Sequence, residues 1–137
     1  MYFLFSNDVC VNFQKVASIK KTPDRLVINF NYTIKKDNNE YADYIYIDNY
    51  VNSDLNIFEN VWFKKNFIKI SGTFLNKHEI SNVKYRNDRI IINLGVGKKH
   101  TFKNGDKTVE EVTSTFYYET APKERFLEIL SMLSVLR

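Results

Sequence analysis

The segment NDRIIINL, Asn87–Leu94, is nearly written once before, sixty-four residues earlier, as PDRLVINF, Pro23–Phe30. Each reads as a polar turn entering a strand, because Asp favours turns and the residues after it belong to the β-branched and aromatic set that packs on pleated surfaces. At the same offset Asn12–Phe30 aligns with Asn76–Leu94, and six of the nineteen positions are identical: Asn12/Asn76, Lys20/Lys84, Asp24/Asp88, Arg25/Arg89, Ile28/Ile92 and Asn29/Asn93. Five more pairs exchange one apolar residue for another. The agreement includes polar positions, so strand composition alone explains it poorly, and the chain reads as a duplication.

Worked outward from this segment, each copy gives the same order. In the first, Phe3–Phe13 is extended, VASIKK and LVINFNYTI flank a turn at TPDR, and YADYIYID follows the polar turn KKDNNE. The apolar spacing then changes to that of a helix, with Leu55, Phe58, Val61 and Trp62 on one face and Asn52 or Ser53 as the cap. In the second copy FIKISGTFL, ISNVKY, RIIINL and VTSTFYYE precede a helix from about Pro122, whose stripe is Phe126, Ile129, Leu130 and Leu133. Thr120 or Ala121 would cap it, with Pro in the first turn, where its missing N–H costs nothing. Past the hairpin the offset grows to 68, aligning Asn52 with Thr120 and Phe58 with Phe126. A hairpin loop four residues longer in the second copy, within HTFKNGDK, would account for the growth.

The expected fold is α+β: tandem ββββα repeats at about 1–66 and 67–137, with two antiparallel four-stranded sheets, each followed by a helix, packed pseudo-symmetrically as one domain. One such unit has a single greasy sheet face and one helix to cover it, which is marginal alone, whereas two copies cover each other.

Composition narrows the class. Hydrophobic residues at 44% and charged residues at 26% are globular values, and the aromatic content of 15% favours strands. Cys10 stands alone, which excludes a disulfide framework and a thiolate zinc cluster. The start, MYFLFSNDVC, has too short an apolar run and no basic flank for a signal peptide or a spanning helix. A cytoplasmic protein without a membrane partner is the expectation, nuclear or organellar placement being compatible with it. The net charge of +4 lies wholly in the second half, where residues 69–137 hold twelve Lys/Arg against eight Asp/Glu while residues 1–68 hold eight of each. A polyanionic partner fits that asymmetry.

The stretches DYIYIDNYVNSDLNIFENVW and STFYYETAPKERFLEILSML, in which a last strand passes through a short polar loop into an amphipathic helix, resemble the Pur-alpha type repeat. More loosely, they are similar to the Whirly proteins and to the positive-cofactor-four type of coactivator. The resemblance is one of element order over almost the whole chain, without an invariant signature. It implies sheet faces that bind single-stranded DNA or RNA.

The residues themselves supply a compatible surface. If Leu26, Ile28 and Phe30 point inward, Arg25 and Asn29 point outward by the period of two, and the Pro23–Asp24 turn brings Lys20 opposite Val27. Lys84, Arg86, Arg89 and Asn93 take the corresponding places in the second copy, and Tyr44 and Tyr46 lie outside if Ile45 and Ile47 face the core. Cations neutralise phosphates and exposed rings stack bases. Lys98 and Lys99 fall in GKKHTFKNGDK, read as a loop, and complete the candidate nucleic-acid-binding set. Competing readings stand beside this one: the Asp-Arg pairs repeat as turn chemistry, Tyr44 and Tyr46 fill an interface between the copies, and the lysine-rich hairpin is simply solvated.

Catalytic residues, metal ligands and cofactors are not expected. His78 and His100 are isolated, Glu110 and Glu111 are neighbours on a strand and so face opposite ways, and GVGKK lacks the spacing of a phosphate loop. The sequence therefore predicts a non-enzymatic single-stranded nucleic-acid binder of little sequence specificity, with homodimer formation left open. The alternative is a protein-binding adaptor or inhibitor of mobile-element or phage type. An OB-type barrel is a third arrangement, and the repeat argues against it.

Overall fold

A computed structural model describes the backbone of residues 1–35, 41–105 and 107–136 and the side chains of residues 1–33, 41–95, 105 and 115–136. The chain forms β1 (Tyr2–Leu4), β2 (Cys10–Asn12), a 3-10 turn (Phe13–Lys15), β3 (Val16–Lys21), β4 (Arg25–Lys35), β5 (Tyr41–Asp48), a 3-10 segment (Asn52–Glu59) and α1 (Val61–Asn66). It continues with β6 (Phe67–Ile70), β7 (Thr73–Asn76), a 3-10 turn (Lys77–Glu79), β8 (Ile80–Arg86), β9 (Arg89–Asn104), β10 (Lys107–Thr120) and α2 (Lys123–Met132).

The second series follows the first, and local details recur at the 64-residue offset. Asn12 Oδ1 accepts from the Gln14 amide at 3.1 Å and Asn76 Oδ1 from the His78 amide at 3.0 Å, each opening a 3-10 turn. A bulge interrupts the β3–β4 ladder between Val16 and Ser18 and the β8–β9 ladder between Ile80 and Asn82. The carbonyl of Asp24 accepts from Asn49 N–H, and that of Asp88 from Ala121 N–H.

The sheets are not the expected pair of four-stranded ones. They have two strands (β1-β2), five (β5-β4-β3-β7-β6) and three (β10-β9-β8). Two physical features produce this difference. The extended stretches expected at 3–13 and 67–75 are each broken by a turn, the first through Asp8 at φ 64° and the second through Ser71 at φ 45° and Gly72 at φ 84°, so each becomes a hairpin. The second hairpin then adds β7 to β3, with Ser18 opposite Leu75, Ile19 opposite Phe74 and Lys20 opposite Thr73, while the first hairpin stays apart. The packing is therefore not pseudo-symmetric.

The helices also depart from expectation. The apolar stripe through Leu55 and Phe58 lies on a 3-10 segment that ends at Asn60, whose side chain accepts from the Phe63 amide at 3.0 Å and opens the six-residue α1. Neither Thr120 nor Ala121 caps α2; Pro122 stands at that position and supplies no side-chain cap. Thr120 instead closes the β10 ladder opposite Arg89, as Asp48 closes β5 opposite Arg25, so the offset at the last strand is 72 and the hairpin is eight residues longer rather than four. The segment read as a loop at Lys98–Lys107 is mostly strand, since β9 runs to Asn104 and β10 starts at Lys107.

The core lies on both faces of the five-stranded sheet. On one face Ile19, Leu26, Ile28 and Ile47 are fully buried against Phe5, Phe13, Ile57 and Phe63 from the first hairpin, the 3-10 elements and α1. On the other face Ile68, Ile70 and Leu75 meet Ile90, Ile92 and Leu94 of the three-stranded sheet, with Ile129 of α2. Tyr117 ties the layers by donating its hydroxyl to Ser18 Oγ at 3.2 Å, and Arg125 donates to the Lys69 carbonyl at 2.7 Å. Each fully buried Leu or Ile contributes roughly 1.5–3 kcal/mol relative to exposure. The part of the second series after β7 meets the second face at Ala17, Ile68, Ile70 and Leu75 and reaches β4 where Asn31 donates to Glu79 at 2.7 Å, while Tyr46 at the β5 edge stays exposed. That exposed edge carries part of the candidate site.

Candidate functional site

The register places the predicted residues in transverse rows. Tyr46 on β5, Val27 on β4 and Lys20 on β3 stand side by side, and the next row is Tyr44, Asn29 and Ser18. Arg25 closes the patch at the end of β4, opposite Asp48. Lys20, Arg25, Asn29, Tyr44 and Tyr46 thus share one face. Tyr46 is 42% exposed, so it is not core between the two halves. The Arg25 guanidinium lies over the Tyr46 ring at 4.2 Å from its centroid and pairs with Asp48 at 3.1 Å, while Tyr44 leans on Tyr46 with 5.0 Å between centroids.

The outward face of the three-stranded sheet carries the same rows: Tyr118, Ile91 and Lys84, then Phe116, Asn93 and Asn82, with Arg89 between Thr120 and Arg86. Arg89 lies over Tyr118 at 4.6 Å from the ring centroid, as Arg25 lies over Tyr46. Phe116 and Tyr118 are nearly half exposed, at 47% and 48%. They belong to the site by position, yet the sequence reading passed over them. The signal was the pair of alternations DYIYID and TFYYET, which coincide at an offset of 72 and are hidden at 68.

The two faces differ in charge. Arg25 has Asp48 as its carboxylate partner, whereas Thr120 stands opposite Arg89, and among the described residues no carboxylate pairs with Lys84, Arg86 or Arg89. They differ in polar satisfaction too. Asn29 Nδ2 donates to Ser18 Oγ at 3.2 Å, while Asn93 Oδ1 is buried with no hydrogen-bond partner among the described residues. Lys98 and Lys99 lie on β9 opposite Thr113 and Val112, beyond the part of β9 that pairs with β8, and their side chains fall outside the described residues.

Other chemistry is thinly represented. Among the described residues no group of three or more His, Cys, Asp or Glu side chains is placed to hold a metal ion. His78 Nε2 sits 2.7 Å from Asn66 Oδ1 at the surface. A polar cleft of about 90 Å³ lies between the sheets, lined by Ser18, Asn31, Glu79 and Tyr117 among others. No helix among the described residues is long and apolar enough to cross a membrane.

Comparison with protein-family models, curated proteins and solved structures finds no match. The reading of the site rests on its own geometry.

Proposed function

We propose that the two outward sheet faces bind single-stranded nucleic acid, with the face built on β8, β9 and β10 as the stronger of the two. The supporting observation is that an arginine lies over a half-exposed tyrosine, one row from a lysine, at the same register in both sheets. Each patch offers a ring on which a base stacks and cations within a few residues of it to meet the phosphates, and this pairing binds single strands with little regard to sequence. A duplex hides its base faces in the stack, so the tyrosines add nothing to duplex binding. The second face is favoured because among the described residues no carboxylate pairs with Lys84, Arg86 or Arg89, whereas a phosphate approaching Arg25 competes with Asp48.

Fluorescence-anisotropy titration of labelled single-stranded and duplex oligonucleotides at two salt concentrations tests the proposal. Tighter binding of the single strand, weakening as salt rises, is expected. Absence of single-strand binding at low salt contradicts the proposal and transfers the faces to a protein partner, the adaptor alternative.

A further inference from the structure

The strand β7 fills the outer edge of β3, and Phe74 reaches across that edge to stack on Phe58, with centroids 4.8 Å apart, and to meet Phe63 at 5.5 Å. The counterpart of β3 in the second series is β8. Among the described residues β8 pairs only with β9, so its other edge has no ladder partner. Beside that edge runs an open groove of about 360 Å³ lined by Ile80, Val83, Leu130, Leu133 and Val135, the place that corresponds to the Phe58–Phe63 surface under Phe74. The counterpart of β7 is β2, which among the described residues pairs with β1 alone and not with β8 of its own chain. The chain thus carries one filled edge, one unfilled edge of the same origin, and one hairpin of the type that fills such edges with its own outer side unused.

We infer that the chain self-associates head to tail, β2 of one copy adding antiparallel to β8 of the next in the register that β7 uses on β3. That register, carried back by 64 residues on β7 and forward by 64 on β3, sets Val11 opposite Asn82, Cys10 opposite Val83 and Val9 opposite Lys84. Backbone hydrogen bonds supply the attraction, as in other strand additions to an unpaired edge. The contact joins unlike surfaces, so it propagates into a ring or a filament instead of stopping at a twofold dimer. Cys10 is a smaller side chain than Phe74 and fills the groove less, so the association is weaker than the internal one and depends on protein concentration. In that register Val9 and Val11, which pack into their own copy's core, lie on the same side of the ladder as Lys84 and Asn82, so the added copy stands beside the cationic face of β8. The inference rests on the strand edges and not on the nucleic-acid proposal.

The test is light scattering of the wild-type chain over a concentration series, beside oxidative cross-linking of a Val83→Cys variant. Directly opposed residues of an antiparallel pair have Cα separations that a disulfide spans. The first expected result is an average mass that rises with concentration. For the variant, disulfides should join Cys10 of one chain to the introduced thiol of the next and build a ladder beyond the dimer on a non-reducing gel. Removing Cys10 from the variant should abolish the ladder. A monomer mass at every concentration overturns the inference. So does cross-linking only between two introduced thiols, which would mean that two β8 edges meet, or a disulfide from Cys10 to the introduced thiol within one chain. Melting of the variant checks that it folds, and the wild-type measurement decides the question if it does not.

Discussion

Arg25 and Arg89 occupy equivalent places and have different neighbours, and that single difference orders the two faces. The exposed Arg25–Asp48 pair at 3.1 Å is worth little to the fold, on the order of 0.2–1 kcal/mol, but it holds the guanidinium against a carboxylate. Arg89→Ala should therefore weaken single-strand binding more than Arg25→Ala, and Asp48→Ala should strengthen it slightly, all read by anisotropy. Tyr118→Ala should cost on the order of 1–3 kcal/mol of affinity if one base stacks there. Asp54 is a different kind of residue, 1% exposed and bonded by Ser6 Oγ at 2.6 Å, Ser6 N–H at 2.7 Å and Val51 N–H at 2.9 Å. Burial by itself raises its pKa, yet the three donors outweigh burial and hold the carboxyl below its ordinary 3.8. A carboxyl held low in the folded state stabilises above its unfolded value and loses that contribution as pH falls through the lower folded value. Asp54→Asn should flatten the acid side of the stability curve and cost about 1–3 kcal/mol near neutrality through donors left unpaired, measured by urea unfolding across pH.

At the scale of elements, the β3–β4 and β8–β9 hairpins were legible because apolar alternation and a polar turn both marked them, and the expected pairing of Lys20 with Val27 is the one observed. The short hairpins were not. In FIKISGTFL the alternation runs straight through Ser71 and Gly72, and only the Ser-Gly pair marks the reversal. The destination of that hairpin is a tertiary choice: β7 settles on β3 because Phe74 finds Phe58 and Phe63, residues that local periodicity cannot bring to it. Gly72 at φ 84° has open space where a Cβ would stand, so Gly72→Ala should cost about 1–2 kcal/mol from backbone conformation alone, seen as a lower melting temperature without a change in binding. The expected first helix failed similarly. Its apolar stripe was real, but Asn60 competes as a cap and divides the segment.

At the scale of the whole molecule, the β6–β7 hairpin takes part in both cores. Leu75 is fully buried in the core under the three-stranded sheet, while its neighbour Phe74 packs on the opposite core, so loosening β7 disturbs both. Leu75→Ala should cost about 2–5 kcal/mol, and Trp62 fluorescence, which reports the first core, should lose stability together with the circular dichroism of the sheets. Lys84, Arg86 and Arg89 belong to neither core, so on the proposed reading they contribute to binding and little to folding. The most direct measurement of that claim is the salt dependence of single-strand affinity for the wild type and for the triple variant Lys84→Ala, Arg86→Ala, Arg89→Ala, with melting run in parallel. Loss of up to three phosphate contacts, at about 0.7 in slope per contact, should lower the slope of log affinity against log salt by roughly 2 with little change in melting temperature. An unchanged slope and affinity in a folded triple variant would contradict the account.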